Sequence, residues 1–465
     1  MSAVTASKKR LLTVFSIVMI NVIAIDSLRN VPAAAEYGSS LVFYYALAAI
    51  CFFIPSALVS AELATGWPKN GGIYIWVREA FGPKWGLFAI WLQWIENVIW
   101  YPTIMSFIAS TLLFSIDPQL ANDKYILLPV IIGLFWLATL LNLYGMHLSS
   151  LVSSITALFG TLIPMFFIIL LGVIWLALGN KSQISFAPHE FIPNLTNLDN
   201  LAYLTAILLS LVGMELSATH AQDARNPQRD YPRAALISVV LIVFTLVFSS
   251  LAIAIVIPSH EIQLVSGLVQ AFSIFFNAYH MSWMTHVIAA MIIIGGFGGV
   301  AAWILGPSKG LMIAAHDNGL PQLMQKTNRF GSPRNLLILQ GLIFTVLCAV
   351  FILIPSISGA YMILTALTTQ LYMLMYVLMF VAAIWLRYKQ PDVKRSYKIP
   401  GGNWGMWVIS SVGTITAIGA IFIGFLPPPG IDVGNPTHYQ MLLLLGFVLL
   451  SFPPYIFHLI QRFKK

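Results

Sequence analysis

Leu209–His220 reads LSLVGMELSATH, an apolar run that is interrupted by a glycine and a carboxylate. An ionised carboxylate at bilayer depth costs at least about 2.5 kcal/mol. We therefore expect Glu215 to have a partner, a bound proton or a water-filled cavity. A second charged interruption lies near the start of the chain, where Ile23–Arg29 reads IAIDSLR.

The composition around these interruptions is that of an integral membrane protein. The chain has 465 residues, of which 59% are hydrophobic and 9% are charged, and its mean hydropathy is +0.86. Apolar runs of roughly 20 residues, long enough to cross about 30 Å of hydrocarbon, recur from Leu11 almost to the C-terminus. The apolar character is continuous and does not alternate, so the spans are predicted to be helices and not barrel strands.

Twelve transmembrane helices are predicted in a single domain over residues 1–465. They cover about 11–35, 39–65, 83–114, 125–145, 148–178, 199–222, 231–257, 281–315, 334–354, 358–386, 404–426 and 439–461. Two further segments are predicted to be helices that do not span. Ile73–Phe81 is expected at the cytoplasmic surface, and Ile262–Asn277 either lies in the membrane interface or caps an outer vestibule.

The basic residues predict the orientation. With the N-terminus inside, all but three of the 24 Lys and Arg residues are cytoplasmic. Of the three, Lys124 and Lys181 face outward and Arg29 lies in a span. Both termini are therefore predicted to be cytoplasmic, and the net charge of +8 is explained by orientation, without nucleic acid as a partner.

Catalytic motifs are not evident. The sequence has no nucleotide-binding glycine loop, no His/Cys metal cluster and no nucleophile motif, so we predict neither an enzyme nor a cofactor or metal. Gly295–Gly299 is glycine-rich but lies inside an apolar run, where small residues favour close helix packing.

Asp26 and Arg29 allow two interpretations. They are three residues apart, so they could form an ion pair on one helical turn. Alternatively, the helix breaks here, and its freed backbone groups and the acidic side chain bind a ligand. An amino-acid zwitterion, which carries both charges, suits such a break.

The other intramembrane carboxylates also have alternatives. Glu215 follows Gly213, which favours a helix interruption; it could be a neutral buried acid, but a gating or proton-linked role is the preferred hypothesis. Glu96 could face a polar cavity. Glu62 lies near the cytoplasmic end of its span, where structural anchoring is favoured.

Several stretches resemble one family in the same order along the chain. They are Ala61–Thr65 with Gly71-Gly72, Gly213–His220, Asn226–Pro232, Trp303–Gly310 and Ile399–Gly402. On these stretches the chain resembles the amino acid-polyamine-organocation transporters, and within them the bacterial glutamate/GABA antiporters.

The resemblance implies two inverted five-helix repeats, at about 11–178 and 199–386, followed by two helices at about 404–461. It also implies unwound first and sixth helices around a central site, and alternating access. The substrate-binding residues that we infer with its help are Ala24, Ile25, Asp26, Ser27, Leu28, Gly213, Met214, Glu215 and Trp303. The residues that we assign to gating or proton coupling are Glu215, Asp26 and Glu96. The first break lacks the superfamily's usual glycine-rich turn, so the resemblance does not identify the substrate.

The hypothesis from sequence is a secondary transporter of amino acids in a bacterial inner membrane, working by exchange or by proton coupling. The alternatives are a transporter of polyamines or other amines, or a channel or sensor on the same scaffold. A channel is expected to show a continuous polar face along several spans, whereas this chain has isolated ionisable residues. The predicted partners are the amino acid, protons and the lipid bilayer; the oligomeric state is left open.

Overall fold

The computed structural model describes residues 13–68, 71–144, 158–193, 198–218, 226–318 and 321–455. Within these ranges every regular element is helical. The first nine α-helices are α1 Val14–Ile25, α2 Val31–Ala35, α3 Leu41–Ala48, α4 Ile54–Gly66, α5 Ile73–Phe81, α6 Pro83–Ile116, α7 Lys124–Leu143, α8 Ile163–Ala177 and α9 Leu204–Leu209. They are followed by α10 Met214–Ala218, α11 Pro227–Val256, α12 Gly267–Ala278, α13 Met284–Asn318, α14 Arg334–Leu347, α15 Val350–Leu353, α16 Ile357–Lys389, α17 Gly402–Ile423 and α18 Pro436–Ser451.

Nine uninterrupted helical segments of the described chain are long and apolar enough to cross a membrane. Three of the twelve predicted spans are not among them, and each has a structural reason. The first is divided into α1 and α2, and the sixth into α9 and α10. The last is represented by α18, which has 16 residues and ends at Ser451. The count of twelve and the repeat arrangement stay predictions.

Helix α6 lies at the centre of the bundle. It packs against α5, α13 and α16, while α11 packs against α1 and α8. Apolar side chains remain exposed on the outer helices, including Leu170 on α8, Val240 on α11 and Ile415 on α17. Such apolar exposure is expected where helices face lipid.

Both predicted non-spanning helices are present. Helix α5 has the predicted bounds, and its apolar residues are buried against α6 and α16. Helix α12 begins at Gly267, five residues later than predicted, after a 3₁₀ turn at Ser259–Glu261. Phe272, Phe275 and Phe276 of α12 are buried, so its apolar face packs on protein.

The glycines of α13 serve helix packing, as the sequence indicates. A Cβ placed on Gly160, in the π-helical turn Leu158–Leu162, would lie 2.1 Å from Cα of Gly295. The two backbones are therefore in direct contact, which only glycine at position 160 permits.

Candidate substrate site

The interruptions of the first and sixth spans lie against each other. Helix α1 ends at Ile25, and Asp26 and Ser27 are extended before a 3₁₀ turn at Leu28–Asn30. Between α9 and α10, Gly213 has a φ of +118°, which L side chains rarely adopt. Its α-carbon faces the end of α1, since a Cβ built there would lie 3.2 Å from Cγ1 of Ile25. The predicted helix breaks therefore exist and meet.

Two small cavities of about 50 and 70 Å³ lie beside the breaks. Both are lined by Ala24, Ser27, Trp100 and Trp303. They are far smaller than the roughly 300 Å³ at which ligand pockets usually begin. In the described conformation neither cavity has room for a ligand of that size.

The structure brings most of the predicted site residues together. Those that line one or both cavities are Ala24, Ile25, Asp26, Ser27, Leu28, Glu96 and Trp303. Gly213, Met214 and Glu215 are not among the described residues that line them. They are connected to the first cavity through Tyr372, which lines it and donates a hydrogen bond to Glu215.

Asp26 and Arg29 point to different partners. Thr245 of α11 donates to Oδ2 of Asp26 at 2.8 Å, and the other oxygen, Oδ1, has no partner in the described part of the chain. Arg29 donates to the hydroxyl of Thr103 at 2.6 Å. Among the described ion pairs, none joins Asp26 to Arg29, so the break interpretation fits and the local ion pair does not.

Arg29 is a buried cation with little polar compensation. Its side chain is 1% exposed, and its guanidinium lies 5.8 Å from the ring centroid of Trp100 and 5.7 Å from that of Tyr361. Within the described chain, Nε has no hydrogen-bond partner. A buried guanidinium in this state favours an anionic group nearby.

Glu96 is an acidic side chain close to this guanidinium. It is buried, accepts a hydrogen bond from Nδ2 of Asn97 at 3.2 Å, and lies within electrostatic range of Arg29 and Glu215. Oδ1 of Asn97, which also lines the first cavity, has no partner among the described residues. The carboxyl group of Glu96 and the amide of Asn97 therefore line the same small cavity.

Glu215 is held by three donors. Tyr372 donates to Oε1 at 2.6 Å, Gln93 donates to the same oxygen at 3.3 Å, and Tyr376 donates to Oε2. The hydroxyl of Tyr376 also accepts a hydrogen bond from the backbone N–H of Gly213 at 3.0 Å. One tyrosine thus connects the carboxylate to the break in its own helix.

Several hydrogen-bonding partners of these residues were not predicted from the sequence. They are Gln93, Thr103, Thr245, Tyr361, Tyr372 and Tyr376. One signal was available: Tyr372 and Tyr376 are four residues apart on α16, so both hydroxyls lie on one face of the helix. The hydroxyls of Thr103 and Thr245 carry no comparable signal, since threonine is common in membrane helices.

Ion pairs join the C-terminal ends of α4 and α16. Arg387 binds Glu62 with two hydrogen bonds of 2.6 Å, from Nε and from an Nη. The backbone N–H of Ile399 also donates to Glu62 at 2.8 Å, and Arg395 lies 3.5 Å away. Glu62 therefore ties α4, α16 and the loop after α16 together, consistent with the anchoring role predicted for it.

Two interrupted helices that meet beside cavities with acidic side chains in their walls are typical of membrane transport proteins. Comparisons with known proteins place the chain in the same class. Residues 10–448 match the family described as amino acid permease, and the chain belongs to this family. It is 52% identical to an uncharacterised transporter of Legionella pneumophila over 97% of both chains. It is 33% identical to a glutamate/gamma-aminobutyrate antiporter of Lactococcus lactis, over 91% of this chain and 86% of the relative.

A more distant relative is named for different substrates. A probable agmatine/putrescine antiporter of Lactococcus lactis is 24% identical over 90% of this chain and 89% of its own length. The resemblance to the amino acid-polyamine-organocation transporters is confirmed by the family and these relatives. The chain is a multi-pass membrane protein of this family.

Proposed function

We propose that the protein exchanges amino acids across the bacterial inner membrane by alternating access, with the substrate bound between the two helix breaks. The observation that carries this proposal is the presence of buried basic and acidic groups beside the two helix breaks. Glu96 lines the first cavity and Asp26 lines the second, while the Arg29 guanidinium lies 5.8 Å from the ring of Trp100, which lines both. An amino-acid zwitterion offers its carboxylate to Arg29 and its ammonium to the acidic side chains.

Unsatisfied atoms support this assignment. Oδ1 of Asp26, Nε of Arg29 and Oδ1 of Asn97 are buried without partners in the described chain. Buried polar groups are nearly always hydrogen-bonded, and each exception calls for a partner. A substrate with an ammonium and a carboxylate would supply a donor for the two oxygens and an acceptor for the guanidinium.

Alternating access is proposed from the helix breaks of the first and sixth spans and from the ion pairs of Glu62 with Arg387 and Arg395. Segments broken at matching places in two halves of a transporter are expected at the interface between inverted repeats. Glu215 is proposed to couple the site to gating or protons, because its hydrogen-bond partner Tyr372 lines the cavity. Asp26 and Glu96 are proposed to contribute through their places in the same cavity walls.

Polyamines are the second candidate substrate. Glu96, Glu215 and Asp26 are three buried carboxylates, and the agmatine/putrescine antiporter among the relatives has that substrate in its name. A polyamine, however, offers no anion to Arg29, so binding it would bring like charges together. The buried guanidinium therefore favours amino acids.

Counterflow into liposomes tests the substrate class. Full-length protein is reconstituted into liposomes loaded with glutamate, γ-aminobutyrate or putrescine, and uptake of the same labelled compound is measured. We expect the amino acids to exchange and putrescine to exchange poorly. Exchange of putrescine alone would favour the second candidate, and failure of every amino acid and amine would contradict the transport proposal.

Arg29→Met tests the charge argument in the same assay. We expect amino-acid exchange to fall at least about tenfold, equivalent to about 1.4 kcal/mol, because the anion partner is lost. Lys181→Met, which removes an exposed cation, is the matched control. Unchanged exchange in an Arg29→Met protein that elutes as wild type would remove Arg29 from the site.

A further inference from the structure

A third and much larger cavity opens on the opposite side of the molecule from the Glu62 ion pairs. Its volume is about 590 Å³. Its walls come from the connection after α2, the start of α3, the 3₁₀ turns before α9 and α12, the start of α16 and the loop before α18. Its lining residues are different from those of the two central cavities, so it is a separate compartment. We call it the outer cavity, after the predicted orientation.

Three tyrosines form an aromatic group in the wall of the outer cavity. The rings of Tyr37 and Tyr44 are stacked with centroids 4.0 Å apart, and the ring of Tyr203 meets Tyr37 edge-on at 5.9 Å. Hydrogen bonds keep this wall in place, since Tyr203 donates to the carbonyl of Pro429 at 2.7 Å. Aromatic groups held in this way are the usual recognition surface for organic ammonium ions.

Glu36 adds a carboxylate to the aromatic group. It follows α2 and precedes Tyr37 in the chain, and it interacts electrostatically with Tyr203. Within the described residues its carboxylate has no ion pair or hydrogen bond, and burial raises its pKa to about 8. Two other polar groups of the wall have partners: Asp432 accepts a hydrogen bond from the backbone N–H of Gly434, and His260 pairs with Glu261.

The charge of the outer cavity is consistent with a cationic ligand. Of the described residues that line it, none is Lys or Arg, whereas Glu36 and Asp432 are acidic. Within the described chain, no group of three or more His, Cys, Asp or Glu is placed to hold a metal ion. A carboxylate beside three tyrosine rings suits an organic cation better than a bare metal.

We propose that the outer cavity is a second binding site, which takes small molecules that carry an organic ammonium group. The ammonium lies against the Tyr37, Tyr44 and Tyr203 rings, and Glu36 neutralises its charge. The site is distinct from the central substrate site and does not depend on what the protein transports.

Binding of a permanent cation to the full-length protein in detergent tests the proposal. The probe is phenyltrimethylammonium, whose charge does not change with pH, and the method is isothermal titration. We expect one site in the wild type and affinity reduced by about tenfold or more in Glu36→Gln. Glu190→Gln changes an exposed carboxylate whose partner, His189, is absent from the cavity wall, as is Glu190 itself, and this variant is expected to bind as wild type.

The pH dependence gives a second measurement. Because the free Glu36 carboxyl has a pKa of about 8, it is largely protonated below that pH and must ionise to bind the cation. Affinity is therefore expected to fall between pH 9 and pH 6 in the wild type. The tyrosines, His260 and Asp432 also face the cavity, so the comparison is with Glu36→Gln, whose affinity should change much less.

Three outcomes would overturn the proposal. Equal affinity in Glu36→Gln and wild type would remove the carboxylate from the site. Loss of binding in Asp26→Asn would place the probe in the central cavity. Loss in Glu36→Asp as severe as in Glu36→Gln, with normal elution of both, would show that charge is not what the site requires. Each result is independent of whether amino acids exchange.

Discussion

Tyr376 shows how much of this molecule depends on single hydroxyl groups. Its one hydrogen is donated to Glu215, and its oxygen accepts the N–H of Gly213. Both groups are buried, so a lost partner would cost about 1–3 kcal/mol. The position of the carboxylate and the shape of the helix break are therefore linked through one side chain.

Glu215→Gln tests the proton-linked role at this scale. The amide keeps the size of the side chain but cannot ionise, so we expect amino-acid exchange to lose its dependence on external pH and to fall about tenfold or more. Exchange is measured in liposomes across a series of pH values. Tyr376→Phe serves as the control, since it disturbs the same hydrogen bonds and retains the carboxylate. A pH profile equal to that of the wild type in Glu215→Gln would contradict proton linkage.

At the scale of the element, the two broken spans could be read from the sequence and their partners could not. A charge in an apolar run is costly wherever it lies, so Asp26 and Glu215 marked the breaks without knowledge of the fold. Thr245 and Tyr372 are contributed by α11 and α16, which are distant in the chain. Their contacts depend on how the helices pack, and hydropathy contains no information about that.

The break of the first span also differs in length from the prediction. The resemblance implies unwinding over Ala24–Leu28, but Ala24 and Ile25 remain helical and the extended backbone begins at Asp26. The alternative ion pair between Asp26 and Arg29 required one continuous helical turn. Once the helix ends at Ile25, the spacing of three residues no longer places the two side chains side by side.

Gly213→Ala tests the break of the sixth span. A Cβ at φ +118° is strained, and it would also lie 3.2 Å from Ile25, so we expect a loss of about 1–3 kcal/mol in stability and strongly reduced exchange. Thermal unfolding in detergent and counterflow are the measurements. The control is Gly419→Ala in α17, where nothing lies within 4 Å and alanine is the better helix former. Equal behaviour of the two variants would contradict a special backbone at Gly213.

At the scale of the whole molecule, Glu62 joins segments that are far apart in sequence. Its carboxylate is 1% exposed and lies between Arg387 at the end of α16 and Arg395 in the following loop. Trp67 adds a further contact, because the guanidinium of Arg395 lies 5.0 Å from its ring. The hydropathy pattern predicted the depth of Glu62, and only the packed bundle identifies which cations it meets.

Glu62→Gln tests the cost of breaking this group. Two buried guanidinium groups would lose their anion, so we expect destabilisation of about 3–5 kcal/mol. Unfolding of the purified protein in detergent is the measurement, and Glu79→Gln, which breaks a more exposed pair with Arg78, should change stability by less than about 1 kcal/mol. In Glu62→Gln/Arg387→Met the loss should be smaller than the sum of the single losses. Additive losses would show that the pair is not coupled.

The small central cavities have a consequence for the cell that contains this protein. The two cavities between the broken helices provide only about 50 and 70 Å³ of free space, which is room for a few water molecules. We expect such a narrow space to slow the leakage of ions past the helix breaks in the described conformation. Electrical insulation of the membrane is then a second consequence of the packing around Trp100 and Trp303.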